Sequence, residues 1–427
     1  MLISEPVLSR EGRADVVVVG LGYIGLPTAA ILATTGLRVV GVDVNQETVD
    51  AVNNGLVPFV EPDLGVHVAG AVSQGALSAT TRTPPASTYI VAVPTPFTAD
   101  KSADLSYILA AADQIAPQLD GGELIILEST SPPGTTQRLG EYLLALRPDL
   151  RLGGTPDESV VHVAHCPERV LPGRIMIEIV TNDRIVGGLT PHASEAARQL
   201  YQTFCKGEIH VTDAATAEMS KLVENAYRDV NIAFANELSV ISENLDIDVW
   251  ELIRLANHHP RVNILSPGPG VGGHCIAVDP WFIVAADPEH STLIRTAREV
   301  NDSKPEHIVQ KVLRAIDDQP EPVIACLGLA FKANIDDVRE SPAVQIVQRL
   351  ATAAPHARLL VATPLRMERD LPLVVSGIAN AERCEMQEAV DAADVVLLLV
   401  DHDRFRDIPV ESLNGKQVID TRGFWQQ

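Results

Sequence analysis

The sequence predicts an α/β chain with a doubly wound parallel sheet at each end and a helical middle. Three observations predict it. Val16-Val17-Val18-Val19 is a β-branched run that feeds a glycine-rich turn, Gly20-Leu21-Gly22-Tyr23-Ile24-Gly25. From Asp213 to about Glu243, Met219, Leu222, Val223, Ala226, Val230, Ala233, Phe234, Leu238 and Ile241 recur at helical spacing. From Val323 a second strand–helix alternation begins with Val323-Ile324-Ala325-Cys326-Leu327. The expected organisation is an N-terminal Rossmann domain over residues 1–209, a central helical domain with one long helix over 210–304, and a C-terminal Rossmann-like domain over 305–427.

In the first part, the valine run reads as a strand buried on both faces. An Ala-rich helical pattern follows the glycines from Leu26 to Thr35, and a second apolar strand, Arg38-Val39-Val40-Gly41-Val42, ends in Asp43. Strand, GxGxxG turn, helix, strand and acid form the complete dinucleotide fingerprint. Gly20, Gly22 and Gly25 let a pyrophosphate approach the helix N-terminus, with Tyr23 and Ile24 between them. Asp43 suits both ribose hydroxyls, which favours NAD over NADP. Two more apolar strands end in hydroxyl-rich turns: Tyr89 to Val93 before Pro94-Thr95-Pro96, and Leu124 to Leu127 before Glu128-Ser129-Thr130-Ser131-Pro132-Pro133-Gly134. Thr95 and Thr130 are candidates for touching the cofactor, with turn capping as the alternative. His162 to Cys166 reads as a strand leading into Pro167-Glu168-Arg169-Val170-Leu171-Pro172-Gly173.

In the middle part, Glu218, Lys221 and Asn225 fall on one face of the long helix. A lysine beside an asparagine marks a site if that face is buried and nothing if it is solvated. A further helix from Val249 to Asn257 leads into His258-His259-Pro260-Arg261. The stretch Ser266-Pro267-Gly268-Pro269-Gly270-Val271-Gly272-Gly273-His274-Cys275-Ile276-Ala277-Val278-Asp279-Pro280 cannot continue a helix or a central strand. It describes a loop that ends in a thiol, with a carboxylate four residues on. A thiol becomes a nucleophile when its pKa is lowered or a base stands beside it, so Cys275 and Asp279 are candidates; a buried structural cysteine is the alternative. Thr292 to Asn301 reads as another helix, and Asp302-Ser303-Lys304-Pro305 as a polar joint. The last part carries Lys332, Arg339 and Arg422 on its loops, cations in an otherwise acidic chain.

With 427 residues and a formal net charge of −23, the chain does not read as a nucleic-acid or anionic-membrane binder. Its 5 cysteines are scattered, which suits a reducing cytoplasm better than a disulfide framework or a metal site. Neither a signal peptide nor a membrane-spanning run is expected.

Two Rossmann-like ends around a helical middle closed by Gly-Gly-His-Cys-Ile-Ala-Val-Asp-Pro resemble the UDP-glucose/GDP-mannose dehydrogenase family. Gly20 to Pro27, Ala217-Glu218-Met219-Ser220-Lys221-Leu222, Asn225-Ala226 and Gly328-Leu329-Ala330-Phe331-Lys332 match its motifs in order. His259 to Leu265, Pro267 to Gly270, Asp279 to Ile283 and Glu168 to Gly173 look most like the branch acting on UDP-N-acetyl-D-mannosamine. The resemblance implies oxidation of a sugar C6 alcohol to a carboxylate with two NAD⁺. It gives Cys275 the role of nucleophile and Lys221 that of proton-transferring and oxyanion-stabilising group. Asn225 and Thr130 would hold reacting oxygens or water, Asp279 would orient Lys221 or the water, and Glu168 would activate water or contact the sugar. Arg169, Val170, Lys221, Asn225, Arg228, His259, Arg261, Gly272, Phe331, Lys332 and Arg422 match positions around the nucleotide sugar. Tyr23, Ile24, Asp43, Thr95, Thr130 and Arg339 match positions around NAD. The long helix predicts a homodimer, in keeping with the family, with Arg261 supplied across its interface. Rival readings are the same chemistry on UDP-GlcNAc or UDP-glucose, and a non-catalytic sensor of NAD or nucleotide sugar.

Overall fold

A computed structural model describes residues 13–98, 100–153, 159–171, 173–273, 275–335, 337–364 and 377–425. His274 and Pro172, both singled out in the sequence, lie outside the described residues. The chain forms two compact units that meet in sequence at Val223 and Glu224.

The first unit contains β1 (Ala14–Val19), α1 (Gly25–Thr34), β2 (Val39–Val42), α2 (Gln46–Asn53), α3 (Leu64–Ser73), β3 (Leu77–Thr80), β4 (Ala86–Val91), α4 (Ser106–Ile115), β5 (Leu124–Leu127) and α5 (Thr135–Leu146). It continues with β6 (Arg151–Leu152), β7 (Val160–His165), α6 (Ile175–Thr181), β8 (Arg184–Gly188), α7 (Pro191–Tyr201), β9 (Ile209–Asp213) and the opening turns of α8 (Ala214–Asn244). The strand order is β3-β2-β1-β4-β5-β7-β8-β9, with β6 on β7. Only the β7–β8 pairing is antiparallel among the described strands. The valine run is apolar at every position because the sheet is covered twice: Val16 and Val18 pack with Leu26, Leu32 and Tyr201, while Val17 and Val19 pack with Ile108, Ile115 and Leu139. The order 3-2-1-4-5 reverses at β1 and β4, and a doubly wound sheet binds its ligand at that switch.

The second unit holds the rest of α8, then α9 (Val249–Ala256), α10 (Asp279–Ala286) and α11 (Thr292–Ala315). A second sheet follows, built from β10 (Val323–Leu327), α12 (Pro342–Ala353), β11 (Arg358–Ala362), β12 (Ala381–Arg383), α13 (Met386–Ala392), β13 (Val395–Leu398) and β14 (Gln417–Asp420). Its order is β12-β11-β10-β13-β14, all parallel. Ile324 and Cys326 face one core, Ala325 and Leu327 the other.

One expected break is absent. The polar run Asp302–Pro305 does not end a helix; α11 passes through it with Pro305 inside. Proline removes one amide and crowds the preceding turn. Here a buried stripe of Ala297, Asn301, Lys304, Pro305, Ile308, Val309 and Val312 holds the helix together regardless. No helix among the described residues is long and apolar enough to cross a membrane.

Candidate active site

The turn after β1 is shaped by what its glycines exclude. Gly20 has φ +95°, and a Cβ on it would stand 2.5 Å from the Ala92 carbonyl oxygen. A Cβ on Gly25 would stand 1.8 Å from the Gly20 carbonyl oxygen, so the turn closes only with glycine there. Gly22 meets nothing within 4 Å and leaves the face of the turn open. No side chain caps the N-terminus of α1 at Ile24, and an uncapped helix start is an anion site. Tyr23 stacks on Phe59 with ring centroids 4.2 Å apart.

Asp43 ties this turn to β2. Its Oδ2 accepts the Leu21 N–H at 2.9 Å and its Oδ1 the Asn45 N–H at 2.9 Å. A carboxylate has about four lone-pair sites, so two acceptor positions remain for a ribose diol. Beyond β4, the Thr95 hydroxyl is buried with no hydrogen-bond partner among the described residues. Buried hydroxyls are nearly always bonded, so this orphan calls for a polar partner in the cleft. Thr130, half-buried, follows β5. Open glycine turn, uncapped helix, diol-ready carboxylate and orphaned hydroxyl together fit a dinucleotide.

The segment after β7 behaves differently from its sequence reading. The Glu168 carboxylate is buried and pairs with Arg184 at 2.9 Å, and its other oxygen accepts the Arg169 N–H at 2.7 Å. The backbone carbonyl of Glu168, not its side chain, accepts from Lys221 Nζ at 2.7 Å. Arg184 also lies over the Tyr201 ring, 4.7 Å from its centroid. Next to this pair, Glu128 accepts from Tyr201 at 2.6 Å and from Thr28 at 3.2 Å. Burial, helped by the Glu168 charge and opposed by Arg184, pushes its carboxyl up to about 7. Burial and the nearby Lys221 charge hold His165 down at about 3, hence neutral. Val170 is half-buried against the first core. Three residues before Lys221, Glu218 takes the Gly134 and Thr136 N–H groups at 2.6 Å each, capping α5 from another helix.

In the second unit Asn225 Nδ2 donates to Asp279 Oδ2 at 2.6 Å. Asp279 is buried at the first position of α10, and its N–H and that of Val278 both donate to the Cys275 carbonyl, at 2.8 and 3.0 Å. The backbone therefore fixes the spacing between thiol and carboxylate. Cys275 is exposed. Burial pushes the Cys166 and Cys326 thiols up to about 12, so neither supplies a thiolate near neutrality. Gly272 and Gly273 lie against Phe331: a Cβ on either would come within 3.0 Å of it. A Cβ on Gly268 would come 2.5 Å from Arg422, which is held by Asp401 at 3.0 Å. Arg339 pairs with Asp337 at 2.6 Å. Arg228, His259, Arg261 and Lys332 are exposed, and the Arg261 N–H donates to His259 Nδ1 at 3.3 Å. A cleft of about 590 Å³ opens between α8, α11 and β14, reaching Gly268 and Thr421; no site residue read from the sequence lines it.

The sequence reading missed four polar residues behind the cysteine loop: Asp229, Asn236, Arg298 and Asn301, all buried. Arg298 pairs with Asp229 at 2.6 Å, and Asn301 donates to the same carboxylate at 2.8 Å. Burial outweighs these partners and raises Asp229 to about 6.

Comparison with known proteins decides the family. The NAD-binding domain model of the UDP-glucose/GDP-mannose dehydrogenase family matches residues 14–205, its central domain 215–303, and its UDP-binding domain 325–427. The chain belongs to this family. It is 56% identical over 409 residues to an NDP-N-acetyl-D-galactosaminuronic acid dehydrogenase of Ralstonia nicotianae, covering 96% of this chain and 95% of the relative. It is 52% identical over 418 residues to a UDP-N-acetyl-D-mannosamine dehydrogenase of Salmonella typhi, covering 96% and 98%. The solved structure of a UDP-D-ManNAc dehydrogenase from Pyrococcus horikoshii matches with TM-score 0.84 at 37% identity, covering 96% of both chains. The protein is an NAD-dependent oxidoreductase of nucleotide sugars, with a domain for UDP.

Proposed function

We propose that this enzyme oxidises the C6 alcohol of UDP-N-acetyl-D-mannosamine to the uronate, through a covalent adduct on Cys275. One observation carries the reading: an exposed thiol at the end of a glycine loop, backbone-linked to a buried Asp279–Asn225 pair. NAD⁺ held at the glycine turn and Asp43 supplies the hydride acceptor for each of the two oxidations.

The first oxidation needs a base for the O6 proton, and we assign Lys221 to it, directly or through water. The aldehyde has no second hydride to lose until it becomes tetrahedral. Cys275 thiolate adds to C6 as a thiohemiacetal, hydride loss gives a thioester, and water hydrolyses it. The Lys221 ammonium and the Asn225 amide hold the oxyanion, each donor worth about 3 kcal/mol. Thr130 and Asp279 orient the water. Because Arg184 occupies the Glu168 carboxylate, we assign Glu168 to holding Lys221 through its main-chain oxygen. Arg169, Val170, Arg228, His259, Arg261, Gly272, Phe331, Lys332 and Arg422 surround the nucleotide sugar in this reading, and Arg339 serves NAD.

Exposed Tyr227, Phe234 and Ile241 on α8, with exposed Leu245 just past its end, support a homodimer in which Arg261 reaches the partner's substrate. A fully active monomer in sedimentation at assay concentration removes that arrangement. The cytoplasm is the compartment we infer. The Ralstonia relative supports a second reading, in which the N-acetylhexosamine has the galacto configuration. Purified protein with NAD⁺ and a panel of UDP-ManNAc, UDP-GalNAc, UDP-GlcNAc and UDP-glucose tests both. Product mass and NADH are counted together: two NADH per uronate fits, and one NADH per sugar indicates an ordinary alcohol dehydrogenase. Binding without NADH indicates a sensor. Cys275→Ser should stop uronate formation; uronate at the parent rate would sink the covalent step.

A further inference from the structure

The described residues from Pro267 to Val278 form neither helix nor strand, and Gly270, Gly272 and Gly273 give this backbone no stiffness of their own. Something outside it must set where Cys275 stands. Asn236 Oδ1 on α8 accepts the Gly268 N–H at 2.8 Å, and Asn236 Nδ2 donates to Asn301 Oδ1 on α11 at 2.8 Å. Asn301 Nδ2 donates to Asp229 Oδ1 at 2.8 Å and to the Asp229 carbonyl at 3.0 Å. Arg298 Nη1 donates to Asp229 Oδ1 at 2.6 Å and to the Ile276 carbonyl at 3.4 Å, while Nη2 pairs with Asp302. An unbroken chain of hydrogen bonds thus joins Gly268 to Ile276, one anchor before Cys275 and one directly after it. All four side chains are at most 1% exposed. Burying an ion pair is a poor way to gain stability, since apolar residues of similar volume serve as well or better. Carbonyl and amide anchors need polar partners, and apolar residues cannot provide them.

We propose that Asp229, Asn236, Arg298 and Asn301 are positioning residues that fix the cysteine loop for attack on the aldehyde. This rests on Cys275 being the nucleophile. The alcohol step does not use the thiol and the aldehyde step does, so a loosened loop separates the two. Arg298→Lys keeps a cation but loses the fork that reaches Asp229, Asp302 and Ile276 together. Asn236→Ala leaves the ion pair intact and frees Gly268.

The test compares the parent, both variants and Cys275→Ser. It reads thermal melts, the alcohol and aldehyde oxidation rates, NADH per sugar, and the alkylation rate of the Cys275 peptide by iodoacetamide. Both variants should lose about tenfold to a hundredfold in the aldehyde step, with far smaller loss in the alcohol step. NADH per sugar should fall from two towards one, and the Cys275 alkylation rate should change. Equal loss in both steps, or parental ratios in both variants, overturns the proposal. If Arg298→Lys does not fold, Asn236→Ala decides alone; if that also unfolds, the network serves stability and the proposal fails. Uronate from Cys275→Ser at the parent rate is a separate result and fails the covalent reading itself.

Discussion

The glycine turn after β1 and the loop ending at Cys275 are both glycine-rich and irregular, yet they are held in different ways. The turn is set by its own neighbourhood. Gly25 closes on the Gly20 carbonyl and Gly20 on that of Ala92, and Asp43, at the end of the adjacent strand, clamps Leu21. The cysteine loop is set from a distance, by side chains on α8 and α11 that lie 32 and 22 residues from the atoms they hold. Locally built structure is written as a motif; remotely built structure is written as scattered polar residues on helices.

That contrast can be broken at either end. The largest effect is expected from Arg298→Ala, which strands the buried Asp229 carboxylate and should cost about 3–5 kcal/mol in urea unfolding. Gly25→Ala comes next. Its Cβ cannot fit beside the Gly20 carbonyl, so the turn must open, at about 1–3 kcal/mol and with NAD binding lost by calorimetric titration. Asp43→Asn should weaken NAD about tenfold while relaxing discrimination against NADP, measured by parallel titrations. Gly22→Ala sharpens the comparison, because its Cβ meets no protein atom. Stability should change by under about 0.5 kcal/mol while NAD affinity still falls; equal melting and equal affinity would show that the open face of the turn is not where the dinucleotide lies.

A pH experiment addresses Glu128, the buried carboxyl next to the Glu168–Arg184 pair. Glu128 titrates near 7 in the folded protein, above its ordinary carboxyl range of 4.5. The folded state therefore holds a proton that the unfolded state has released, and stability from this group is present below about 4.5 and lost as pH rises through 7. Glu128→Gln keeps the shape without the charge. It should gain melting temperature relative to the parent as pH goes from 5 to 8; a constant difference would remove the group from the pH dependence.

Much of the fold was legible because strands covered on both faces are apolar at every position and because the fingerprint places Asp43 at a fixed offset. The long helix was legible from its period. Three features were not. Asp302–Pro305 looked like a joint because three polar residues precede a proline, but Ala297, Asn301, Lys304, Pro305 and Ile308 continue one buried helical face. Reading that stripe as one face running through the proline would have picked out Asn301, and Arg298 next to Ala297. The family resemblance gave Glu168 to water activation or sugar contact, and its buried ion pair was not legible, because Arg184, which takes its carboxylate, comes 16 residues later on β8. The Asp229–Arg298 pair spans 69 residues, and a charged residue on a helix reads as solvated until its neighbour is known.

Glu218 has a mechanical consequence for the lysine that follows it. An α-helix is a screw, and slipping its thread by one residue turns a side chain by about 100° and moves it about 1.5 Å along the axis. The start of α8 cannot slip in this way, because the Glu218 carboxylate is bolted to the first turn of α5 through Gly134 and Thr136. Lys221, one turn later, inherits that registration. The bearing of its amine is thus fixed by a joint in the nucleotide-binding sheet before any sugar arrives.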